Sequence, residues 1–167
     1  MDILGIIKTR RSIRKFESRP VAQDVLDKVL EAGRWAPSGL NNQPWRFAVI
    51  LNGLTLDAIS KLTHYSRIVK SAGVLIAVFL DNASGYHRTK DVQAIGACIQ
   101  NMLLEAHSLG LGAVWLGEII KSDLQIREIL GLGNNLELMA VIALGYPQES
   151  PGPTKRKAMK DLVVYRK

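Results

Sequence analysis

Seven consecutive apolar residues, Val74–Leu80, rich in branched types and ended by Asp81-Asn82, constrain this chain more than any other segment. Such a run offers water no polar face, so it is predicted to be a buried strand that needs other layers to cover it. It falls well short of the ~20 residues that cross a bilayer, as does the similar run Leu138–Leu144. At 167 residues and 47% apolar, the chain has material for one core, and one domain over residues 1–167 is expected. Asp2 stands near the start and no long apolar stretch precedes a small-residue cleavage site, so a cytoplasmic protein without signal peptide is expected.

The remaining elements follow from spacing and punctuation. Asp2 suits the N-cap of a first helix with Ile3, Leu4, Ile6 and Ile7 on a wide apolar face. Residues 22–35 read as a second helix that must stop before Pro37. Pro37 to Pro44 is a loop, and Trp45–Leu51 has the length and apolarity of a strand. Thr55–Leu62 is predicted helical, with a weaker turn over Arg67–Ala72. Asp91–Leu109 is the clearest helix: Val92, Ile95, Ile99, Met102, Leu103 and Ala106 recur at three and four, Asp91 is its expected cap, and Gly110 closes it. Ala113–Leu116 and Leu138–Leu144 are further strands. Between them Ser122 and Gln125 have capping-box spacing ahead of a short helix. Pro147, Pro151 and Pro153 mark an extended arm. The sum is an α+β protein with about four strands.

Charge is unevenly placed. The net charge is +7, and residues 1–19 with 155–167 hold 12 of the 22 Lys and Arg. Clusters at both ends, Arg10-Arg11-Ser12-Ile13-Arg14-Lys15-Phe16 and Lys155-Arg156-Lys157, indicate a local anion site assembled by folding, and phosphate suits it best. In an extended turn Arg10, Ser12 and Arg14 point one way while Ile13 and Phe16 anchor toward the core. Arginine forks grip phosphate through two parallel hydrogen bonds. A solvated helix end or a loose basic tail would show the same residues, but the apolar Leu162-Val163-Val164-Tyr165 behind the second cluster requires burial. The loop Pro37-Ser38-Gly39-Leu40-Asn41-Asn42-Gln43-Pro44-Trp45 places amide donors and acceptors beside an aromatic plane, as a flat heteroaromatic ligand needs.

Other chemistries are disfavoured. Gly110-Leu111-Gly112-Ala113-Val114-Trp115 has Trp115 in place of a third glycine and runs from helix into strand, so it is no dinucleotide fingerprint. Gly117, just past that strand, lets a backbone N–H approach a ligand. Cys98 reads as a small core residue within the long helix. No metal-ligand spacing and no Ser/His/Asp grouping is visible, which leaves hard chemistry to a cofactor. A nucleic-acid module would interleave aromatics with its basic residues, whereas Trp35, Trp45 and Trp115 are expected in apolar or loop-closing contexts.

The opening R-R-S-I-R-x-F, then A-P-S-x-x-N-x-Q-P-W-x-F at 36–47, G-L-G-A-V-W-L-G at 110–117 and the basic C-terminal arm together resemble the FMN-dependent nitroreductase-like oxidoreductases. The resemblance implies a sandwich with a mostly antiparallel central sheet flanked by helices, and a homodimer with FMN at the interface and an exchanged C-terminal arm. Arg10, Arg11, Ser12 and Arg14 would hold phosphate, ribityl chain and the pyrimidine side of the flavin, with Arg14 supplying charge near N1 and O2. Lys155 and Arg156 would complete the phosphate site, although Lys157 leaves open which two cations touch it. Pro37, Ser38, Asn41 and Gln43 would come from the partner chain. Leu116, Gly117 and Glu118 would lie against the isoalloxazine. NADH or NADPH would reduce the flavin, and a nitroaromatic, quinone or similar acceptor would reoxidise it in ping-pong fashion. A flavin sensor or carrier would share every one of these residues. The stretch from Asn52 to Asp91 is short for the family, so an open site is expected.

Overall fold

A computed structural model describes residues 2–51 and 53–167. Met1 and Asn52, the first residue of the short stretch noted above, lie outside the described residues. In chain order the elements are α1 (Ile3–Thr9), α2 (Gln23–Arg34), β1 (Trp45–Ile50), α3 (Gly53–Ser60), α4 (Ser66–Ser71), β2 (Val74–Asp81), α5 (Arg88–Ser108), β3 (Gly112–Leu116), α6 (Asp123–Leu130) and β4 (Leu136–Gly145). Short 3-10 turns occupy Gly39–Asn41, Glu118–Ser122 and Met159–Asp161.

The four strands form one sheet in the order β1-β2-β4-β3, every neighbour antiparallel. Central β2 explains its own composition: it is paired on both sides and covered on both faces. Val74, Ile76, Val78 and Leu80 pack toward Leu26 and Val29 of α2 and Ile95, Ile99 and Met102 of α5. Leu75, Ala77 and Phe79 pack toward Ile59 of α3, Ile68 and Val69 of α4 and Ile126 of α6. Side chains of a strand alternate between faces, so one apolar run feeds two cores. The α+β sandwich is therefore a helix–sheet–helix stack.

Local signals were honoured in part. Asp2 caps α1 through Gly5 N–H at 2.5 Å. Gly110 closes α5 with a positive φ of 76°, and Leu111 N–H reaches back to Ala106 O at 2.8 Å. Three expectations need correction. Helix α5 starts a turn before Asp91, with His87 at the N-cap; the Asp91 carboxylate instead accepts the N–H groups of Tyr86 and His87 from inside the helix. Ser122 forms no capping bond, because its hydroxyl donates to Leu62 O at 2.9 Å and ties the β3 exit to the α3–α4 connection. Trp35 is not in an apolar context within the chain: it is 72% exposed, with its indole N–H bonded to Glu31. Among the described residues no helix is long and apolar enough to cross a membrane.

Candidate functional site

The basic N-terminal segment is laid along the edge of the sheet by its apolar residues. Ile13 and Phe16 are buried against the second core, as their spacing predicts. Ser12 bridges Ala113 of β3 in parallel, and Ile13 N–H donates to Ala113 O at 3.0 Å. Gly112 is required here, since a Cβ would lie 2.8 Å from the Ile13 side chain, too close for the two segments to pair. Further on, Phe16 bridges Pro147, while Glu17 N–H donates to Tyr146 O and Gln148 N–H to Lys15 O. The chain beyond β4 thus returns alongside residues 12–17, bringing the C-terminal arm to the N-terminal cations.

The electrostatics of that meeting are one-sided. Among the described residues no carboxylate forms an ion pair with Arg10, Arg11, Arg14, Lys155 or Arg156. Burial, followed by the fields of Arg11 and Arg156, lowers the pKa of the half-buried Arg10 guanidinium. Cations from opposite ends of the sequence therefore act on one another. The pKa of His107 is lowered likewise, by burial and then by Arg10 and Arg11. Its Nε2 lies 2.9 Å from Thr9 Oγ1, which joins the end of α5 to the end of α1.

The arginines differ in what holds them. Arg11 donates to three carbonyls, Gly152 at 3.1 Å, Lys8 at 2.7 Å and Arg10 at 2.8 Å, so it clasps the arm to α1. Arg14 is exposed; its backbone N–H is bonded to Glu149 and its guanidinium to Ser12 O at 3.3 Å. Among the described residues the Arg156 side chain bonds only within its own loop, to Thr154 and to Lys155 O. Arg10 has no side-chain hydrogen bond among the described residues. A cavity of about 270 Å³ lined by Thr9, Arg11, His107 and Glu149 opens beside this group.

The other two sets of expected residues lie elsewhere on the chain. Pro37 and Ser38 border a separate cavity of about 320 Å³ against Tyr86, Lys90 and Gln93, apart from the one bordered by Arg11. Asn41 and Gln43 are exposed. At the end of β3, the Leu116 side chain is buried in the second core, so only its backbone is open to a ligand. Gly117 leaves open space, since a Cβ there would meet nothing nearer than Trp115 Nε1 at 3.8 Å. The Glu118 carboxylate turns away to accept from Thr63 Oγ1 at 2.7 Å and to pair with Lys121; these partners hold its pKa below the ordinary glutamate value. Asn42 and Tyr86 carry no distinguishing signal in the sequence, which marks Asp91 only as a helix cap. Nothing in a loop without periodicity distinguishes the amide that turns inward, Asn42, from the one that turns out, Asn41.

A two-faced helix–sheet–helix stack, with an edge strand flanked by cations that form no ion pair among the described residues, defines an α+β domain. The chain belongs to the nitroreductase family, whose sequence pattern, the Nitroreductase family, matches residues 7–65 and 55–146. A protein of Methanothermobacter thermautotrophicus, provisionally named an NADH dehydrogenase/NAD(P)H nitroreductase, is 42% identical over 154 residues, or 91% of this chain and 81% of that protein. The crystal structure of a provisionally named nitroreductase from Desulfovibrio desulfuricans, solved in complex with FMN, is 44% identical with a TM-score of 0.94, covering 100% of this chain and 98% of that one. An FMN-dependent nitroreductase from Clostridium difficile is 25% identical with a TM-score of 0.86, each chain covered to 99%.

Proposed function

We propose that residues 1–167 act as one FMN-binding domain of a homodimeric oxidoreductase that uses NADH or NADPH to reduce a small organic acceptor. The observation that carries this reading is the cation group drawn from both ends of the chain, whose side chains form no ion pair among the described residues. A half-buried cation with no ion-pair partner among the described residues is poised for an external anion, and a phosphate dianion suits clustered guanidinium groups. Arg10 and Arg156, with Lys155 beside them, hold the phosphate, and Arg11 keeps the arm in place. Ser12 and Arg14 face the sugar chain and the pyrimidine ring. The open backbone at Leu116 and Gly117 receives the ring system, with Glu118 shaping the turn.

The second half of the site comes from a partner. Pro37 and Ser38 border a different cavity from Arg11 in one chain, and Asn41 and Gln43 of the same loop are exposed, so a ligand touching both sets sits between two subunits. The surface fits such a pairing: Ile3 and Trp35 line a groove of about 350 Å³ between α1, α2 and α5, and Leu4, Ile7 and Leu40 are also exposed. Among the described residues the sheet has one open edge to receive the exchanged arm. Residues 12 and 13 already bond to Ala113 of β3, whereas the outer edge of β1 is free to add a strand.

The chemistry that bound FMN supplies is hydride uptake from the nicotinamide and delivery of the electrons to an acceptor such as a nitroaromatic or a quinone. The protein binds and orients the reactants rather than furnishing a strong acid or base. Cys98 takes no part: burial pushes its thiol up to about 12. Steady-state oxidation of NADH and NADPH against nitroaromatic and quinone acceptors tests the reading. Parallel double-reciprocal lines that vanish when FMN is stripped and return when it is restored are expected. Tight FMN binding with no turnover on any acceptor would instead make the protein a flavin carrier or sensor.

A further inference from the structure

The loop that carries Ser38, Asn41 and Gln43 is held in an unfavourable backbone form. Leu40, Asn41 and Gln43 all have positive φ, 55°, 55° and 46°. Asparagine tolerates that region, but leucine and glutamine meet their own Cβ clash there. Three such residues within four positions persist only where the surroundings over-determine them, and they gather at ligand sites. The bonds inside the loop are modest: Asn41 N–H to Ser38 O, Asn42 N–H to Gly39 O, and Gln43 N–H to Ser38 Oγ at 3.0 Å.

What reaches out of the loop to α5 is Asn42. Its amide donates to Asp91 Oδ1 at 2.8 Å and to Ser84 O at 3.1 Å. Asp91 is 2% exposed, and its other oxygen accepts the N–H groups of Tyr86 at 3.0 Å and His87 at 2.9 Å. Burial alone would raise the Asp91 pKa, but bonds from Asn42, His87 and Tyr86 outweigh it and hold it below the ordinary aspartate value. An ionised carboxylate only accepts, which fixes the amide with Nδ2 toward Asp91. Asn42 Oδ1 then faces the other way, buried with no hydrogen-bond partner among the described residues. The same turn packs on the loop a second time, since a Cβ on Gly39 would fall 1.9 Å from Tyr86 Oη. An orphaned acceptor and three strained residues are poor choices for stability alone, and together they mark a conformation kept for use.

We infer that the partly buried Asn42–Asp91 pair is a latch that holds Ser38–Gln43 in its cofactor-facing form, making both residues positioning residues for FMN. The inference rests on the flavin reading above, so its test carries a readout independent of FMN. In Asn42→Ala, the amide protons of Asn41, Asn42 and Gln43 exchange about 10- to 100-fold faster than in the parent dimer, the size expected for losing a bond to a charged acceptor. Asn42→Ser serves if the alanine variant does not fold. FMN affinity, read by fluorescence quenching, falls about 10-fold or more alongside it. Asn42→Asp weakens binding further by setting two carboxylates face to face, and the swap Asn42→Asp with Asp91→Asn restores most of that loss.

Unchanged loop exchange overturns the latch whether or not the protein binds flavin. Faster exchange with unaltered FMN affinity, or a folded swap variant no better than Asn42→Asp, overturns its role toward the cofactor. Faster exchange in a protein that takes up no FMN upholds the loop contact, overturns the role assigned toward FMN and overturns the flavin reading.

Discussion

Arg10→Ala weakens FMN binding by about 2 kcal/mol, or about 30-fold in Kd, the range for one charge-assisted hydrogen bond to an anion. The same substitution leaves the apoprotein as stable as before or slightly more so. In the parent, Arg10 has no side-chain bond to lose among the described residues, and it bears the repulsion of Arg11 and Arg156. Lost affinity with retained stability is the signature of a group kept for a ligand. Arg11→Ala behaves in the opposite way: three carbonyls lose their donor, and the apoprotein loses about 1–2 kcal/mol. Isothermal titration with FMN and thermal melts of the apo forms check both. An Arg10→Ala protein with parental FMN affinity, or one that unfolds early, contradicts the assignment.

Removing residues 158–167 separates the subunits and abolishes tight flavin binding, while each chain keeps its fold. The arm adds nothing to either core of its own chain: residues 151–167 are exposed throughout, and Val164 is 98% exposed. Burying Leu162, Val163, Val164 and Tyr165 on a partner is worth about 6 kcal/mol or more per arm by area. Even a third of that, about 4 kcal/mol for two arms, shifts the dimer Kd roughly 1,000-fold. Sedimentation equilibrium reads the dimer, circular dichroism the fold, and flavin fluorescence the site. A truncated protein that stays dimeric and yellow contradicts the exchange.

Much of the scaffold was legible because periodicity and punctuation agreed with burial. Val74–Leu80 and the apolar face of Val92–Ala106 lie where their patterns place them, and Ile13 and Phe16 anchor the basic segment as their spacing requires. The misses share a physical cause. Asp91 and Ser122 have side chains that serve equally well as caps or as ties to another element, and only the fold decides which groups come within reach. Spacing could not reveal that Arg11 grips carbonyls while the Arg10 side chain has no hydrogen bond among the described residues, because both lie in one basic run. Trp35 and the arm are exposed in one chain, and in the proposed dimer the surface that covers them belongs to the partner, which spacing along one chain does not reveal. Asn42 was passed over for its neighbour Asn41, which turns outward.

The central claim is that arginines and lysines from the two ends of the chain converge on one phosphate. Titrating the apoprotein with FMN and with riboflavin, which differ only in that group, tests it directly. Two or more charge-assisted contacts predict that riboflavin binds at least about 100-fold more weakly, with the gap narrowing as salt rises. Equal affinity for the two flavins at low salt would contradict it.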